Sequence, residues 1–309
     1  MTFITSRRID ATRYADLVAC PRRLRWSRLQ GWTPREKPET LWWGGLVDDS
    51  IRNYELSRFA GESKDTALDK ALSYCLEHSR DPLDEAAAFP SSDNKRTGWT
   101  AARTLVQYAD WTEELKISPI AMEGPRLGEI IPALEVYFEF LDKPSGWTIC
   151  GNLDAIVSYG GQNWILERKT TTSSISPMYL SRFDMRSQVD FYTLAATRCP
   201  ELVPYKIRGI LLEVIQTGVQ FSRFARYPIR RTEFQQDEAL SNVRYQLTSI
   251  LPRHEIEWAG GEDPYNPESC ILCKFSTICK RDPRVRSKYL SADFDQREPW
   301  DPKTKRTLS

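Results

Sequence analysis

The stretch WTICGNLDAIVSYGGQNWILERK, residues 147–169, decides the fold. Two runs rich in β-branched and aromatic residues flank Gly160-Gly161, and a glycine pair supplies the positive φ angles of a tight hairpin turn. With those glycines as the two turn residues, Tyr159 faces Gln162 and Asp154 falls opposite Glu167. Lys169 lies two residues further on, so the pleat puts it on the same face as Glu167. A four-residue loop, residues 160–163, would set Asp154 opposite Lys169 with Glu167 diagonal to it. In either register two carboxylates and one ammonium converge on one patch of sheet. Two carboxylates within a few Å repel each other, and a divalent cation resolves the repulsion. Mg²⁺ takes oxygen ligands, typically one or two carboxylates with substrate phosphate, and the backbone carbonyl of Arg168 is a further candidate oxygen. A lysine beside such a metal can serve the attacking water and offset charge building on phosphate.

The chain has 309 residues, 40% apolar and 28% charged, which fits a soluble globular protein with ample core. Net charge is only +1, so no global basic field announces nucleic acid. The charge is uneven, however. Residues 1–37 carry nine Arg/Lys against three Asp/Glu, and residues 271–309 carry ten against five. Both ends are basic around an acidic middle, a pattern that suggests a localised phosphate-binding surface. No run approaches the roughly 20 apolar residues of a membrane span. Residues 2–6 are too short and polar for a signal-peptide core. Seven cysteines are an odd number in a chain too long to need disulfide staples, which favours a reducing compartment and a metal role. The expected location is cytoplasmic, with no membrane partner.

In chain order the patterns predict helices over residues 9–30, 41–59, 64–79 and 94–116, the last with Trp99, Ala102, Leu105, Val106 and Trp111 at helical spacing. Residues 82–93 read as a polar loop. Strands follow over 133–141 and through the hairpin, then a loop over 170–176. A helix over 187–197 carries Gln188 and Tyr192 at i, i+4, hence on one face. A strand over 205–216 with a partner over 221–227 and a helix over 232–251 complete the pattern. The fold class is α/β: one mixed β-sheet flanked by helices, with a small appendix built from both ends of the chain.

Cys270-x2-Cys273-x5-Cys279 puts three thiols on a short segment, the spacing of a metal site. His254 or a distant cysteine could supply a fourth ligand. Cys20, in a basic turn before Pro21, is the strongest candidate, and it would clasp the N-terminus to the C-terminus. Zinc and a [4Fe–4S] cluster both accept such ligands, and spacing alone does not separate them. Cys75, Cys150 and Cys199 read as small core hydrophobes.

Together, Cys20-Pro with its basic flank, Gly151-Asn-Leu-Asp154, Glu167-Arg-Lys169, Gln188-x3-Tyr192 and the cysteine triplet resemble the PD-(D/E)XK nuclease superfamily. Within it the chain looks like the RecB-type iron–sulfur nucleases, typified by the CRISPR-associated exonucleases and the AddB-type recombination nucleases. The resemblance implies a restriction-endonuclease-like domain over residues 1–280, with 1–40 and 255–280 forming the iron–sulfur module and 281–309 a basic, disordered tail. It implies a metal-dependent deoxyribonuclease, an exonuclease preferring single strands, in DNA recombination, repair, replication or CRISPR adaptation. Asp154 and Glu167 would ligate Mg²⁺ or Mn²⁺, and Lys169 would serve the attacking water. Gln188 and Tyr192 would contact DNA or orient the site, and Cys20, Cys270, Cys273 and Cys279 would bind the cluster. Besides DNA, recombination, replication or CRISPR proteins would be partners, while oligomeric state stays open. The family usually places a histidine on an early helix, four or three residues after a glycine. Here Asp48 follows Gly44 at that spacing and is the expected hard-oxygen substitute. The rival reading is a non-catalytic DNA-binding or assembly protein that keeps the fold.

Overall fold

In a computed structural model, the described residues are 7–35, 39–79, 95–115, 117–124, 126–256, 270 and 273–298. The polar loop expected over 82–93, residues 299–309 and the side chain of His254 lie outside them.

The chain opens with strand β1 (Arg8–Ile9) and helices α1 (Ala11–Ala19) and α2 (Pro21–Leu24), the latter running into a π-helical turn over Arg25–Leu29. The Asp10 carboxylate caps α1 by accepting from the N–H groups of Thr12 and Arg13, and Pro21 sits at the first turn of α2, where its missing N–H costs nothing. After β2 (Trp32–Pro34) come α3 (Glu39–Phe59), α4 (Lys64–Glu77) and α5 (Gly98–Leu115). These three helices pack on one another around Trp43, Ile51, Ala71, Leu105 and Tyr108, and against Ile215 of the sheet. Trp43 is core, as its helical spacing with the buried Val47 requires, but Trp99 and Val106 of α5 are exposed rather than buried.

Short strands β3 (Ser118–Pro119), β4 (Ala121–Glu123) and β5 (Ile130–Pro132) lead into β6 (Leu134–Asp142), β7 (Trp147–Tyr159) and β8 (Gln162–Thr171). The β7–β8 hairpin has the two-residue turn: Gly160 and Gly161 have φ of +58° and +73°, and Tyr159 pairs with Gln162. Short α6 (Pro177–Ser181) and α7 (Ser187–Arg198) then cross to β9 (Ile210–Thr217), which runs parallel to β8 and antiparallel to β10 (Ser222–Ile229). The strand foreseen over 205–216 starts later, because Val203–Tyr205 is a 3₁₀ turn. The mixed sheet runs β1-β7-β8-β9-β10, with β3 and β6 also on β7. Helix α8 (Glu233–Tyr245), opened by a capping box between Thr232 and Gln235, covers the same core as α1 and α7.

The chain ends contribute a separate cluster. Trp26 packs edge-on to Phe275, Phe275 stacks on Phe294, and Ile278 and Leu290 complete the group. Within the segment expected as a basic tail, the described residues 281–298 carry a helix and a strand. Leu290 on α9 (Arg286–Asp293) and Phe294 on β11 (Phe294–Gln296) bury themselves against the N-terminal segment, and β11 pairs antiparallel with β2. No described helix is long and apolar enough to cross a membrane.

Candidate active site

The sheet opens at the position of the GNLD segment. Ala155 pairs with Leu134 of β6 on one edge and Leu166 of β8 on the other; Thr148 pairs with Leu141 of β6 and Arg8 of β1. Strands β1 and β8 therefore share one edge of β7, and residues 150–154 face the gap between them. Side-chain bonds reach into the gap. The Tyr192 hydroxyl donates to the Asn152 carbonyl at 2.7 Å, and Asp154 Oδ2 accepts the backbone N–H of Arg168 at 2.9 Å. The pleat also slips here. Leu153 and Ile156 pack in the main core while Ala155 and Val157 pack in a different cluster, and Glu135 of β6 has a φ of +49°. Simple alternation, which set Asp154 directly opposite Glu167, is corrected in this detail: the β7–β8 ladder ends at Ala155–Leu166, and the Asp154 carboxylate replaces the next main-chain acceptor. Gly151 allows the slip to pack, because a Cβ there would meet the Phe138 ring at 2.9 Å.

Glu167 and Lys169 lie together on the face covered by α7. Their side chains form an ion pair, Lys169 Nζ to Glu167 Oε1. Gln188 Nε2 donates to the Tyr192 hydroxyl at 2.9 Å, as their i, i+4 spacing foretold, and both line the recess beside Glu167 with Arg186. Burial first, then the charges of Glu167 and Asp48, push the Asp154 carboxyl well above its ordinary range. Burial alone would push the Lys169 ammonium down, but Glu167 and Asp154 outweigh it and hold it protonated. Burial and the same two carboxylates drive the Tyr192 hydroxyl up, so it stays a donor.

Arg168 points its side chain to the opposite face, where its guanidinium is buried in a polar network. It donates to Glu213 Oε1 at 3.0 Å, Glu55 Oε1 at 2.8 Å and Asp48 Oδ1 at 3.0 Å. Arg226 takes the other oxygen of Glu213 at 2.7 Å and lies 3.9 Å over the Trp111 ring. Sequence reasoning missed Glu55, Glu213, Tyr108 and Arg226. The signal was present, since Glu213 is a lone carboxylate in an apolar strand and must find a cation when buried. The N–H of Ile165 points to the β9 side, so alternation turns the N–H and C=O of Arg168 toward Asp154. Asp48 reaches the site because α3 lies close over β8. A Cβ on Gly44 would come to 3.0 Å from Thr170 Oγ1, and Asp48 is one turn further along that face.

The donor set suits a hard divalent cation. Glu167 is only 5% exposed, and its Oε2 has no hydrogen-bond partner. A buried carboxylate oxygen left without a donor is costly unless a cation meets it. Among the described residues no three His, Cys, Asp or Glu side chains are grouped into a ready-made cage. Mg²⁺-type sites use one or two carboxylates and leave the remaining positions to water and substrate. Of the cysteines, Cys75, Cys150 and Cys199 are buried, and burial pushes the Cys150 thiol up to about 12. Burial raises the Cys273 thiol, with the Phe275 main chain and Arg23 opposing and Cys20 and Cys279 adding to the rise, but among the described residues these thiols are not grouped so as to hold a metal ion. Cys270 is exposed, and its carbonyl accepts the Cys273 N–H at 3.2 Å.

The chain belongs to the PD-(D/E)XK nuclease superfamily, matching it over residues 8–280. Nucleases of this superfamily generally use divalent metals and act on nucleic acid. Among solved structures, a candidate exonuclease from Eubacterium rectale is 14% identical, with a TM-score of 0.48 over 89% of each chain. The protein SSO0001 is 12% identical, with a TM-score of 0.35 over 89% of this chain and 86% of that one. No curated protein matches the chain.

Proposed function

We propose that this nuclease is a Mg²⁺- or Mn²⁺-dependent deoxyribonuclease of the RecB-type iron–sulfur branch, acting as an exonuclease on single strands in recombination, repair, replication or CRISPR adaptation. The observation that carries the catalytic part is the unpartnered Glu167 Oε2 beside Asp154 and Lys169 at the gap in the sheet. Asp154, Glu167 and the Arg168 carbonyl would hold the metal, with Asp48 completing the set from the α3 side. The cation, when bound, supplies a water acidified for attack and a Lewis acid for the phosphate. Lys169 positions that water and offsets charge on the phosphoryl oxygens. Tyr192, steadied by Gln188, keeps the β7 edge open by occupying the Asn152 carbonyl.

The strand would run over the basic surface of the two chain ends. A cavity of about 440 Å³ there is lined by Arg22, Arg25 and Arg286 with Trp26 and Trp32, and among the described residues no acidic side chain lines it. Trp26 itself is buried against Phe275, so it supports the cavity rather than stacking on bases. Cys20, Cys270, Cys273 and Cys279 would hold a [4Fe–4S] cluster, as their spacing and the family resemblance suggest. The test is cleavage of end-labelled single- and double-stranded DNA with Mg²⁺, Mn²⁺ or EDTA, comparing wild type with Lys169→Ala. Metal-dependent cleavage abolished by the substitution, by a factor of 10² or more, is the expected result. DNA binding without cleavage by the wild-type protein would overturn it and leave a binding protein.

A further inference from the structure

The chain has four methionines, and two of them stand in solvent on one short segment beside the candidate active site. Met178 of α6 is 79% exposed and Met185 is 91% exposed. Met122, by contrast, packs against the core. An unbranched apolar side chain held out in water at full length gains nothing for stability, yet this one sits on a rigid mount. Phe183, two residues before Met185, is buried in the main core and meets Tyr179 edge-on at 5.6 Å. Asp184 accepts the Tyr227 hydroxyl at 3.1 Å through its carboxylate and an Arg231 N–H through its carbonyl. Main-chain bonds from Asp184 to Ser181 and from Arg186 to Phe183 close the turn.

Two exposed guanidiniums bracket Met185. Arg182 lies over Tyr179 and Arg186 over Phe183, at 5.6 and 5.0 Å from the ring centres, and among the described residues neither pairs with a carboxylate. Arg186 also lines the recess that contains Glu167, Gln188 and Tyr192. The arrangement offers two cations for phosphates and one apolar tip for a flat ring, on a segment whose Phe183 and Arg186 line the recess holding Glu167. A base can accept that tip on its face only where it is unstacked, in a single strand or at a frayed end.

We infer that Met185 is a wedge packing against an unpaired nucleobase next to the scissile phosphodiester, with Arg182 and Arg186 holding the neighbouring phosphates. This rests on the nuclease reading of the adjoining site and names its substrate class as an unpaired strand. The test is binding of a 20-nucleotide single strand and of a blunt, hairpin-closed duplex, measured by fluorescence anisotropy in EDTA so that no strand is cut. A 2-aminopurine in the strand reports base packing. Arg182→Ala/Arg186→Ala should weaken single-strand binding about tenfold and flatten the slope of log affinity against log salt by about 1.4, the value for two phosphates. Met185→Ala should weaken it about fivefold with the salt slope unchanged, alter the 2-aminopurine signal, and leave duplex binding as it was. Met185→Phe should restore affinity. Equal losses on both DNAs after Met185→Ala, or no change in any of these variants, would overturn the inference. Cleavage by the wild type with Mg²⁺ is scored separately, so a failed wedge and a failed nuclease assignment give different results.

Discussion

Arg168 ties the two sides of the site together. Its backbone N–H fixes Asp154, and its side chain holds Asp48, Glu55 and Glu213 on the other face of the sheet. Burial would push the Glu55 carboxyl up, and the Arg168 charge opposes that shift. Arg168→Met therefore leaves buried carboxylates uncompensated, and the expected loss is about 3–5 kcal/mol in urea unfolding at pH 7. Arg168→Lys should recover part of this, since it restores charge but not the planar fork that reaches three carboxylates and the Tyr108 hydroxyl. A midpoint for Arg168→Met equal to wild type would mean the network contributes nothing. The triad of Asp154, Glu167 and Lys169 was legible in the sequence because spacing and a glycine turn fix it locally. The guanidinium's partners were not, because Glu55 and Glu213 arrive from a helix and a strand whose packing no local pattern specifies.

Among the elements, the hairpin was readable and its register narrowed to two alternatives, of which the structure forms the two-residue glycine turn. The slip of β7 at Asp154 was not, because it arises from competition between β6, β1 and β8 for one strand. The corner at the start of that strand is held from outside the sheet. Asp142, 4% exposed, receives Arg244 of α8 at 2.7 Å and the Ser145 N–H at 3.2 Å. Burial would raise the Asp142 carboxyl, but these bonds win and its value is lowered. A lowered folded value contributes stability above the unfolded value of about 3.9, and that contribution is lost as pH falls through the folded value. Asp142→Asn should thus melt below wild type at pH 7, with the gap in Tm closing as pH drops below about 4. A gap that stays constant down to pH 2 would show that the carboxylate's charge is irrelevant to the corner.

At the scale of the whole molecule, the two ends of the chain form one unit. Strand β2 pairs with β11, Gly31 accepts the Arg297 N–H, and Trp26, Phe275 and Phe294 share a core. So small a core needs a staple to be stable by itself, and Cys273 and Cys279 pack against it. Sequence spacing singled out the cysteines but not the aromatic cluster, because Trp26 and Phe294 lie 268 positions apart. If a metal centre is the staple, its loss should loosen this unit and spare the sheet. Protein purified without oxygen should be brown, absorb near ~400 nm and contain iron, since zinc is colourless. Cys20→Ser and Cys273→Ser should each remove the colour. In both variants limited proteolysis should cut within residues 20–35 and 270–298 while the fragment spanning the hairpin survives. Colourless protein with one equivalent of zinc, lost in the same variants, would keep the staple and change its metal. Wild-type protein free of both metals and equally resistant to protease would leave the aromatic cluster and the β2–β11 pairing to hold the ends unaided.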